Sequence, residues 1–320
     1  MGKSNVVVVG GYNQDLTWYT SAFPRPGETV MGRFVTGPGG KGSNQAFAAA
    51  RAGARTAFVG AVGDDHFGDP LPALYEKEGI DHHLVVKPNH PTGNAGIWVD
   101  ENGRNDIIVD LGANNALLAE DVPEELVASA RVVVCQHETN LAANQRAFEI
   151  AKRNGVKTVL NPAPTRDDFD ESILSLVDII MPNETEFASL VARMGFYDAG
   201  EFSEQMMVGL GDEDLHDLCR QFSVPVVIVT LGKHGCFVST ETEYRKLPTI
   251  DVEHVVDTCG AGDAFVGGFS AGLVRFGGDV FKSAVFGNIT AGLSVTRPGT
   301  APSMPQLAEI EPYLKSQGLD

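Results

Sequence analysis

The sequence predicts an α/β fold in which a mostly parallel β-sheet has helices on both faces and a small second β-sheet is attached. Two observations lead to this prediction. Short, uniformly apolar runs alternate along the chain with helical patterns, and two β-like regions interrupt that alternation. A strand buried on both faces of a parallel sheet has no polar face, so it is recognised as a continuous apolar run. The alternation with helices favours parallel crossovers.

Six of the apolar runs are predicted to be strands of the main sheet: Val6–Val9, Ala57–Val59, Val132–Cys135, Thr158–Leu160, Ile179–Met181 and Val226–Val229. Helical patterns lie at Ala46–Ala52, Leu141–Asn154, Asp214–Phe222 and Val266–Val274. Ligands bind such sheets at the carboxyl ends of the strands, where the strand-to-helix loops meet. Functional side chains are therefore expected directly after the apolar runs.

The second sheet is predicted from four β-like segments: Leu16–Thr20, Thr29–Thr36, Gly93–Val99 and Asp106–Leu111. Asn102-Gly103, a strong hairpin signal, lies between the last two. The alternative arrangement is an extension of the main sheet at its edge. We expect a single domain over residues 1–320, with the second sheet inserted from about 12–38 and 92–112.

The composition is that of an ordinary folded protein with a strongly acidic balance. The 320 residues are 43% hydrophobic and 21% charged, and 42 acidic against 24 basic side chains give a net charge of −18. Nucleic acids and anionic membranes are bound through concentrated Lys and Arg, so neither is expected as a partner. A small phosphate-bearing ligand remains compatible with this charge, because a local anion site can overcome a diffuse negative surface.

The cysteines and the first apolar run indicate an intracellular protein. Cys135, Cys219, Cys236 and Cys259 are widely spaced and form no C-x-x-C pair, so neither a zinc site nor a disulfide framework is predicted. The run Val6–Val9 is far too short for a signal peptide or a membrane span. We therefore expect a cytoplasmic protein.

The segment Asp257-Thr258-Cys259-Gly260-Ala261-Gly262-Asp263 carries the strongest chemical signal. Small residues at 260–262, directly before a helical pattern, let backbone N–H groups converge on an anion. Asp263 would repel that anion, so its position indicates catalysis. It would take a proton from an alcohol while the 260–262 amides hold the phosphoryl group that the alcohol attacks. The structural alternative is an ordinary strand-to-helix turn with an acidic helix start.

This motif resembles the carboxyl-terminal signature of the ribokinase (PfkB-type) sugar kinases. Three further segments resemble motifs of that family, in the family's order and over nearly the whole chain: Gly39–Ala46, Pro182–Glu186 and Thr230–Gly235. The resemblance implies a ribokinase-like fold, ATP-dependent phosphorylation of a sugar hydroxyl, and Mg²⁺ bridging the β- and γ-phosphates. It also implies that the second sheet is a lid over the sugar.

The Gly39 segment does not match a common phosphate-binding fingerprint. The P-loop pattern needs glycine where Val35 stands and Ser or Thr where Gly42 stands. Gly39 and Gly40 instead permit close backbone approach, and Lys41 and Asn44 offer donors to sugar hydroxyls. A solvated loop lysine is the alternative.

Further sugar ligands are predicted after two strands. Asn13 and Asp15 follow the first strand, and a carboxylate accepts two neighbouring hydroxyls, although Asp15 could instead cap a turn. Glu138 follows Val132–Cys135, where the family has a carboxylate that completes the sugar site. By resemblance, the sugar-binding residues are Asn13, Asp15, Gly40, Lys41, Asn44, Glu138 and Asp263.

Nucleotide and magnesium ligands are predicted after two later strands. Asn183 and Glu186 lie three residues apart at a helix start, where Glu186 suits outer-shell binding of Mg²⁺ through water. The same residues form a good helix cap, and both roles can hold together. The predicted nucleotide-binding residues are Asn183, Thr230, Gly232, Gly235, Gly262 and Asn288, the last by its alignment with a family position near adenine.

A monovalent cation such as K⁺ is implied by the resemblance as an activator. The matching carbonyl or hydroxyl donors are Asp257, Cys259, Ser294, Arg297, Gly299 and Ser303. A plain turn around Pro298-Gly299 is the alternative. The thiol of Cys259 is interpreted as incidental to mechanism, because backbone requirements explain the motif without it.

Within the family, the favoured reaction is phosphorylation of D-ribose at its 5-hydroxyl. The segments Gly112–Leu117 and Asn161–Pro164 add to the resemblance on this point. Fructokinase, deoxyribokinase and nucleoside kinase are the rivals within the fold. Two alternatives belong to other functional classes: a catalytically idle sugar-binding protein and a dinucleotide-dependent oxidoreductase. The intact Asp263 opposes the former, and the missing G-x-G-x-x-G fingerprint opposes the latter.

The lid is also expected to form a homodimer interface. Trp18, Phe34, Ile97 and Val99 give the predicted lid strands more apolar surface than one small sheet can hide. A second subunit is the simplest cover for one face of the lid.

Overall fold

The computed structural model describes residues 4–102, 104–196 and 204–319, and it has the predicted α/β architecture with a separate small sheet. The strands in these ranges are β1 Val6–Val9, β2 Asn13–Tyr19, β3 Arg33–Gly39, β4 Thr56–Val62, β5 Asp81–Val86, β6 Asn94–Val99, β7 Asn105–Asp110, β8 Val132–Cys135, β9 Lys157–Leu160, β10 Ile179–Ile180, β11 Val226–Thr230, β12 Cys236–Ser239 and β13 Tyr244–Leu247.

The α-helices in the same ranges are α1 Lys41–Arg51, α2 Leu71–Lys77, α3 Glu124–Ala128, α4 Leu141–Arg153, α5 Glu184–Arg193, α6 Glu204–Gly209, α7 Asp212–Arg220, α8 Ala261–Arg275, α9 Val280–Ser294 and α10 Leu307–Ser316. Short 3₁₀ helices lie at Gly112–Ala116, Ala119–Asp121, Glu171–Leu176, Gly232–His234 and Ala301–Ser303. In this described part of the chain, no helix is both long enough and apolar enough to cross a membrane.

The main sheet has nine strands in the order β13-β12-β11-β10-β9-β8-β1-β4-β5 among the described residues. Every neighbouring pair from β11 to β5 is parallel, and β12 and β13 extend the sheet with antiparallel pairs. Because parallel strands end at one edge, the loops after β1, β8, β10 and β11 are brought together there.

The apolar core lies on both faces of the main sheet, as the uniformly apolar runs predict. Within β1, Val7 and Val9 pack into one cluster, which includes Phe148 of α4. Val6 and Val8 pack into the cluster on the opposite face, with residues of α1 and α8. Successive strand residues point to opposite faces, so a strand covered on both sides needs an apolar residue at every position.

The small sheet has the strand order β3-β2-β6-β7. Successive side chains along each strand point to opposite faces of the sheet. Trp18 pairs with Phe34 and with Trp98 across the strands, and its ring centroid lies 5.0 Å from that of Phe34. Ile97 and Val99 alternate with Trp98, so they lie on the other face. They line a cleft there with Asp15. The four apolar side chains that the sequence analysis singled out are therefore divided between the two faces of the small sheet, with Trp18 and Phe34 on one and Ile97 and Val99 on the other.

Several predicted boundaries are shifted by the polar residues of the site. Helix α1 begins at Lys41, five residues before the predicted start at Ala46, because its first turn is buried by polar rather than apolar contacts. Strand β3 begins at Arg33 instead of Thr29. Gly103 of the predicted hairpin turn lies outside the described residues, but β6 and β7 pair antiparallel as expected.

Candidate active site

The predicted anion site lies at the amino terminus of α8. Gly260 caps this helix in the left-handed conformation, with φ of 76°, which favours glycine. A Cβ atom at Gly262 would meet open space, so a ligand can approach the backbone there. The Ala261 amide already donates to the carbonyl of Thr258 at 3.2 Å. Of the two residues, Gly262 is therefore the better placed to offer its amide to an anion.

Asp263 lies in the first turn of α8, buried, with both carboxylate oxygens bonded to side chains of α1. Asn44 Nδ2 donates to Oδ2 at 2.9 Å, and Gln45 Nε2 donates to Oδ1 at 3.0 Å. Two fixed amides thus set the orientation of the carboxylate beside the anion site. Asn44 Oδ1 is buried without a hydrogen-bond partner among the described residues. A buried acceptor of this kind fits a hydroxyl group of a ligand.

Gln45, which lies in a predicted motif but was assigned no role from the sequence, also belongs to this arrangement. Besides Asp263, its Nε2 atom contacts Asn161 Oδ1 at 3.0 Å, and its Oε1 atom accepts from Gln136 Nε2 at 2.6 Å. Asn161 Nδ2 in turn donates to the carbonyl of Met181 at 2.9 Å. The one available signal was a pair of adjacent amides at the start of a helix.

Two further predicted carboxylates converge on the same space. Glu138 Oε2 accepts the Lys41 backbone N–H at 2.6 Å. Burial raises the pKa of Glu138 to about 7, with Asp263 and Asp15 adding to the shift and Lys41 opposing it. Burial also raises the pKa of Asp15 to about 7, against the Thr300 hydrogen bond and with the help of Asp263. The structure therefore brings Asp15, Glu138 and Asp263 together.

Lys41 supplies the positive charge among these acids. Burial alone would lower the pKa of its ammonium group, but the charges of Asp263, Glu138 and Glu186 outweigh burial and raise that pKa above its ordinary value. The ammonium group is therefore charged at neutral pH and lies within electrostatic reach of all three carboxylates.

The glycine pair before α1 is required by close backbone approach. A Cβ atom at Gly39 would lie 2.2 Å from Asp15 Oδ2, and one at Gly40 would lie 2.5 Å from the Asn13 backbone nitrogen. Gly40 also has a φ of 86°. Asn13 is buried, and its Oδ1 atom accepts from Asn114 Nδ2 at 3.0 Å. Any larger residue at 39 or 40 would displace the predicted sugar ligands.

A cavity of about 450 Å³ lies beside the start of α8. Five of the six predicted nucleotide-binding residues line it: Thr230, Gly232, Gly235, Gly262 and Asn288. The sixth, Asn183, does not line this cavity, but it forms an isolated parallel bridge with Thr230. Asn288 is anchored, because its Nδ2 atom donates to the carbonyls of Leu247 and Pro248 at 3.1 Å each.

A second cavity, of about 710 Å³, lies between the small sheet and the main body. Asp15 lines it together with Gly299 and Thr300. Val255 and Thr258 line both cavities, so the two spaces adjoin along the segment that leads into α8. A phosphoryl donor in the first cavity and an acceptor near Asp15 would meet at the anion site.

Asn183 and Glu186 form the predicted capping box at the start of α5. Asn183 Oδ1 accepts the Glu186 N–H at 2.8 Å, and Glu186 Oε2 accepts the Asn183 N–H at 2.9 Å. Burial raises the pKa of Glu186, while the Asn183 hydrogen bond and Lys41 oppose the shift. Only Oε2 is used in the cap, so Oε1 can accept a hydrogen bond from a metal-bound water.

The six predicted monovalent-cation ligands lie in two segments, 257–259 and 294–303, which hydrogen bonds of Asp257 join. Its Oδ1 and Oδ2 atoms accept the N–H groups of Cys259 and Gly299, both at 2.9 Å. Ser294 and Ser303 are both buried, whereas Arg297 forms an ion pair with Glu309. Burial and Asp257 raise the pKa of the Cys259 thiol to about 12, so it is a poor nucleophile.

Residues 3–307 of the chain match the sequence model of the pfkB family of carbohydrate kinases. A ribokinase of Haemophilus influenzae is 36% identical over 98% of this chain and 99% of its own length, and a deoxyribokinase of Salmonella typhi is 34% identical over 97% and 98%. The structure is similar to that of a ribokinase from Giardia lamblia, with a TM-score of 0.89, 33% identity and coverage of 99% and 100%. It is also similar to an Arabidopsis thaliana ribokinase complexed with ribose and ATP, with a TM-score of 0.83, 30% identity and coverage of 98% and 99%.

Proposed function

Because the chain belongs to the pfkB family of carbohydrate kinases, we propose that it transfers the γ-phosphoryl group of ATP to the 5-hydroxyl of D-ribose. Asp263 carries the proposal: a buried carboxylate at a helix start, oriented by Asn44 and Gln45 and adjoining open backbone at Gly262. The full-length similarity to ribokinases supports ribose as the sugar. The relative complexed with ribose and ATP supports the pair of substrates.

In the proposed reaction, Asp263 accepts the proton of the ribose 5-hydroxyl as that oxygen attacks the γ-phosphorus. The new bond joins the sugar oxygen to phosphorus, and the bond between the γ-phosphorus and the β–γ bridging oxygen breaks. ADP leaves with that electron pair. The Gly262 amide and the positive end of the α8 dipole stabilise the charge on the phosphoryl group, and Gly260 shapes the turn. Ala261 contributes as helix backbone.

The sugar is held in line by Asn13, Asp15, Gly40, Lys41, Asn44 and Glu138. Asp15 and Glu138 accept hydrogen bonds from sugar hydroxyls, and the unpartnered Oδ1 of Asn44 accepts another. Lys41 donates and offsets the charge of the three acids. Phosphoryl transfer depends mainly on positioning and electrostatics, so a sugar fixed by several groups around Asp263 is what the reaction requires.

The nucleotide occupies the cavity lined by Thr230, Gly232, Gly235 and Asn288, with Asn183 at its edge through the Thr230 bridge. Glu186 would hold Mg²⁺ through water, and the ion would supply charge neutralisation on the phosphates. K⁺ or a similar cation would be held by carbonyls and hydroxyls of the two segments, 257–259 and 294–303, that Asp257 joins. Its role would be to fix the loop before Gly260.

The small sheet acts as a lid on a single kinase domain, and its outer face pairs two chains. Phe34 and Ile108 on that face are 50% and 69% exposed, and Trp18 packs between Phe34 and Trp98. Exposed aromatic and aliphatic side chains of this kind favour burial by a second copy. Four free cysteines fit a reducing compartment, so the cytoplasm is the proposed location.

A coupled ADP-release assay over pentoses, hexoses, deoxyribose and nucleosides tests the proposal. We expect D-ribose to give the highest kcat/KM with ATP. The relative named deoxyribokinase makes deoxyribose the critical comparison. A preference for deoxyribose, a hexose or a nucleoside would contradict the choice of ribose. Absence of ADP release with every acceptor would contradict the kinase activity itself.

A further inference from the structure

The loop that carries Glu138 is held from outside the proposed sugar site. Glu138 lies between β8 and α4, and the peptide carbonyls on either side of it belong to His137 and Thr139. Arg166 Nη1 donates to both carbonyls, at 3.2 Å and 3.1 Å. One guanidinium nitrogen therefore restrains the backbone before and after the sugar-binding carboxylate, which itself must meet the Lys41 N–H.

Arg166 is in turn fixed from two sides. Its Nε and Nη2 atoms form a bidentate pair with Asp168, at 2.8 Å and 2.7 Å. Arg193, the last residue of α5, donates to the carbonyl of Arg166 at 3.1 Å and to that of Phe169 at 2.6 Å. Glu186 lies in the first turn of the same helix, α5. A planar fork with several donors restrains such a segment in a way that one ammonium group cannot.

We propose that Arg166 is a positioning residue for Glu138, and that Arg193 fixes the Arg166 segment to the helix carrying Glu186. The two arginines thereby fix the position of the proposed sugar-binding carboxylate of Glu138 relative to the proposed metal-binding carboxylate of Glu186. This inference rests on the proposed function. Arg166 acts on the sugar only through Glu138, because its hydrogen bonds go to the backbone of the loop and to Asp168.

The position of Arg166 distinguishes this role from general stabilisation. Its Asp168 partner is 64% exposed, so that ion pair contributes little to stability. The Arg166 side chain is only 20% exposed, and its remaining donors go to the two carbonyls that flank Glu138. A loss of these two bonds frees the loop locally while the β8 strand below it stays paired on both sides.

The test is a double-mutant cycle read as the Kd for D-ribose by calorimetry. R166Q in the parent chain is expected to weaken ribose binding by about tenfold, with the KM for ATP nearly unchanged. In an E138Q background the same substitution is expected to have little further effect, because the group it positions is gone. R153Q is the matched control: this α4 arginine is 54% exposed, pairs with Glu124 and should change neither value.

If R166Q weakens ribose binding tenfold both in the parent chain and in E138Q, the proposal is overturned, since Arg166 would then act independently of Glu138. An unchanged Kd for ribose in a folded R166Q protein would also overturn it. If R166Q does not fold, R166K serves instead; it keeps the charge but cannot hold Asp168 and both carbonyls together, so an intermediate loss confined to ribose is expected. A parent chain without sugar-dependent ADP release would contradict the proposed function instead, and the two failures are distinguishable.

Discussion

The side-chain amide of Gln45 donates a 3.0 Å hydrogen bond to Asp263 Oδ1, across 218 residues of sequence. The same amide nitrogen contacts Asn161, and its carbonyl accepts from Gln136. Asp263 is therefore oriented by a chain of buried amides from helix α1 and from the loops after β8 and β9. A carboxylate that is held in this way needs no reorganisation before it accepts a proton, as the proposed reaction requires.

Replacing Gln45 with methionine should lower kcat by about 10- to 100-fold, because Asp263 loses one of its two orienting donors. The ribose KM should change less, since Asn44, Lys41 and Glu138 remain. The orphaned amides of Gln136 and Asn161 should also cost about 1–3 kcal/mol of stability. Steady-state kinetics and chemical denaturation measure both effects. Q145M on the exposed face of α4 is the control, and an unchanged kcat in Q45M would refute the role of Gln45.

Replacing Asp15 with alanine should weaken ribose binding by roughly 1–3 kcal/mol, because a hydroxyl acceptor is lost and its donors are left unpaired. ATP affinity in the absence of sugar should hardly change, since Asp15 lines the cleft under the lid and not the nucleotide cavity. Calorimetric titration with each ligand separates the two. D106A, an exposed lid position, is the control. Equal losses for both ligands would mean that the sugar site is wrongly assigned.

The raised pKa of Glu138 predicts a pH-dependent gain in stability for E138Q. The folded-state pKa is about 7 against an ordinary value of 4.5, so the folded protein binds more protons than the unfolded chain between these pH values. Stability contributed by this group is therefore complete below pH 4.5 and is lost as the pH rises towards 7. Glutamine removes the buried charge, so E138Q should be more stable than the parent at about pH 8, by on the order of 1–3 kcal/mol, and nearly equal to it at about pH 5.

Denaturation of ligand-free E138Q and parent protein at the two pH values tests this prediction. The same difference in unfolding free energy at both would contradict it. E125Q, an exposed position on α3, controls for a general effect of removing one negative charge from an acidic protein.

A charge on the outer face of the lid should dissociate the proposed dimer. Ile108 is 69% exposed on the face that carries Trp18 and Phe34, and its neighbour Ile107, 51% exposed, points to the other face. I108D should give a monomer at micromolar concentration in analytical ultracentrifugation, because an unpaired carboxylate would be buried in the interface. I107D is the matched control and should remain a dimer. A monomeric parent chain would refute the dimer, and a dimeric I108D would refute the lid interface.

The central strands of the main sheet could be predicted closely, because burial on both faces allows only apolar residues in them. The predicted bounds of Val6–Val9 and Val132–Cys135 agree with the strands, because neighbours on both sides and helices on both faces require an apolar residue at each position. The antiparallel strands β12 and β13 were not predicted. Tyr244–Leu247 is mostly exposed and polar, so it contains no apolar run. Cys236–Ser239 is fully buried but ends in a serine and directly follows a short turn, and it was not recognised as a separate strand.

The contacts of the site were the harder part, because they join distant segments through polar groups. Lys41, Asn44 and Gln45 lie within the first five residues of α1, and these polar side chains hide the start of the helix from an apolar pattern. The hydrogen bond of Thr300 to Asp15 spans 285 residues and has no local signature. Motifs could therefore indicate which segments meet, whereas the particular donors and acceptors depend on the folded backbone.

The most direct test of the account is kcat of the Asp263→Asn variant with D-ribose and ATP, measured beside its ribose Kd. The substitution preserves shape but removes the proton acceptor, so kcat should fall by about 10²–10⁴ while ribose binding and folding are kept. Asp217→Asn, an exposed position on α7, should retain the parent rate. An Asp263→Asn protein that turns over near the parent rate would contradict the central claim that Asp263 is the catalytic base.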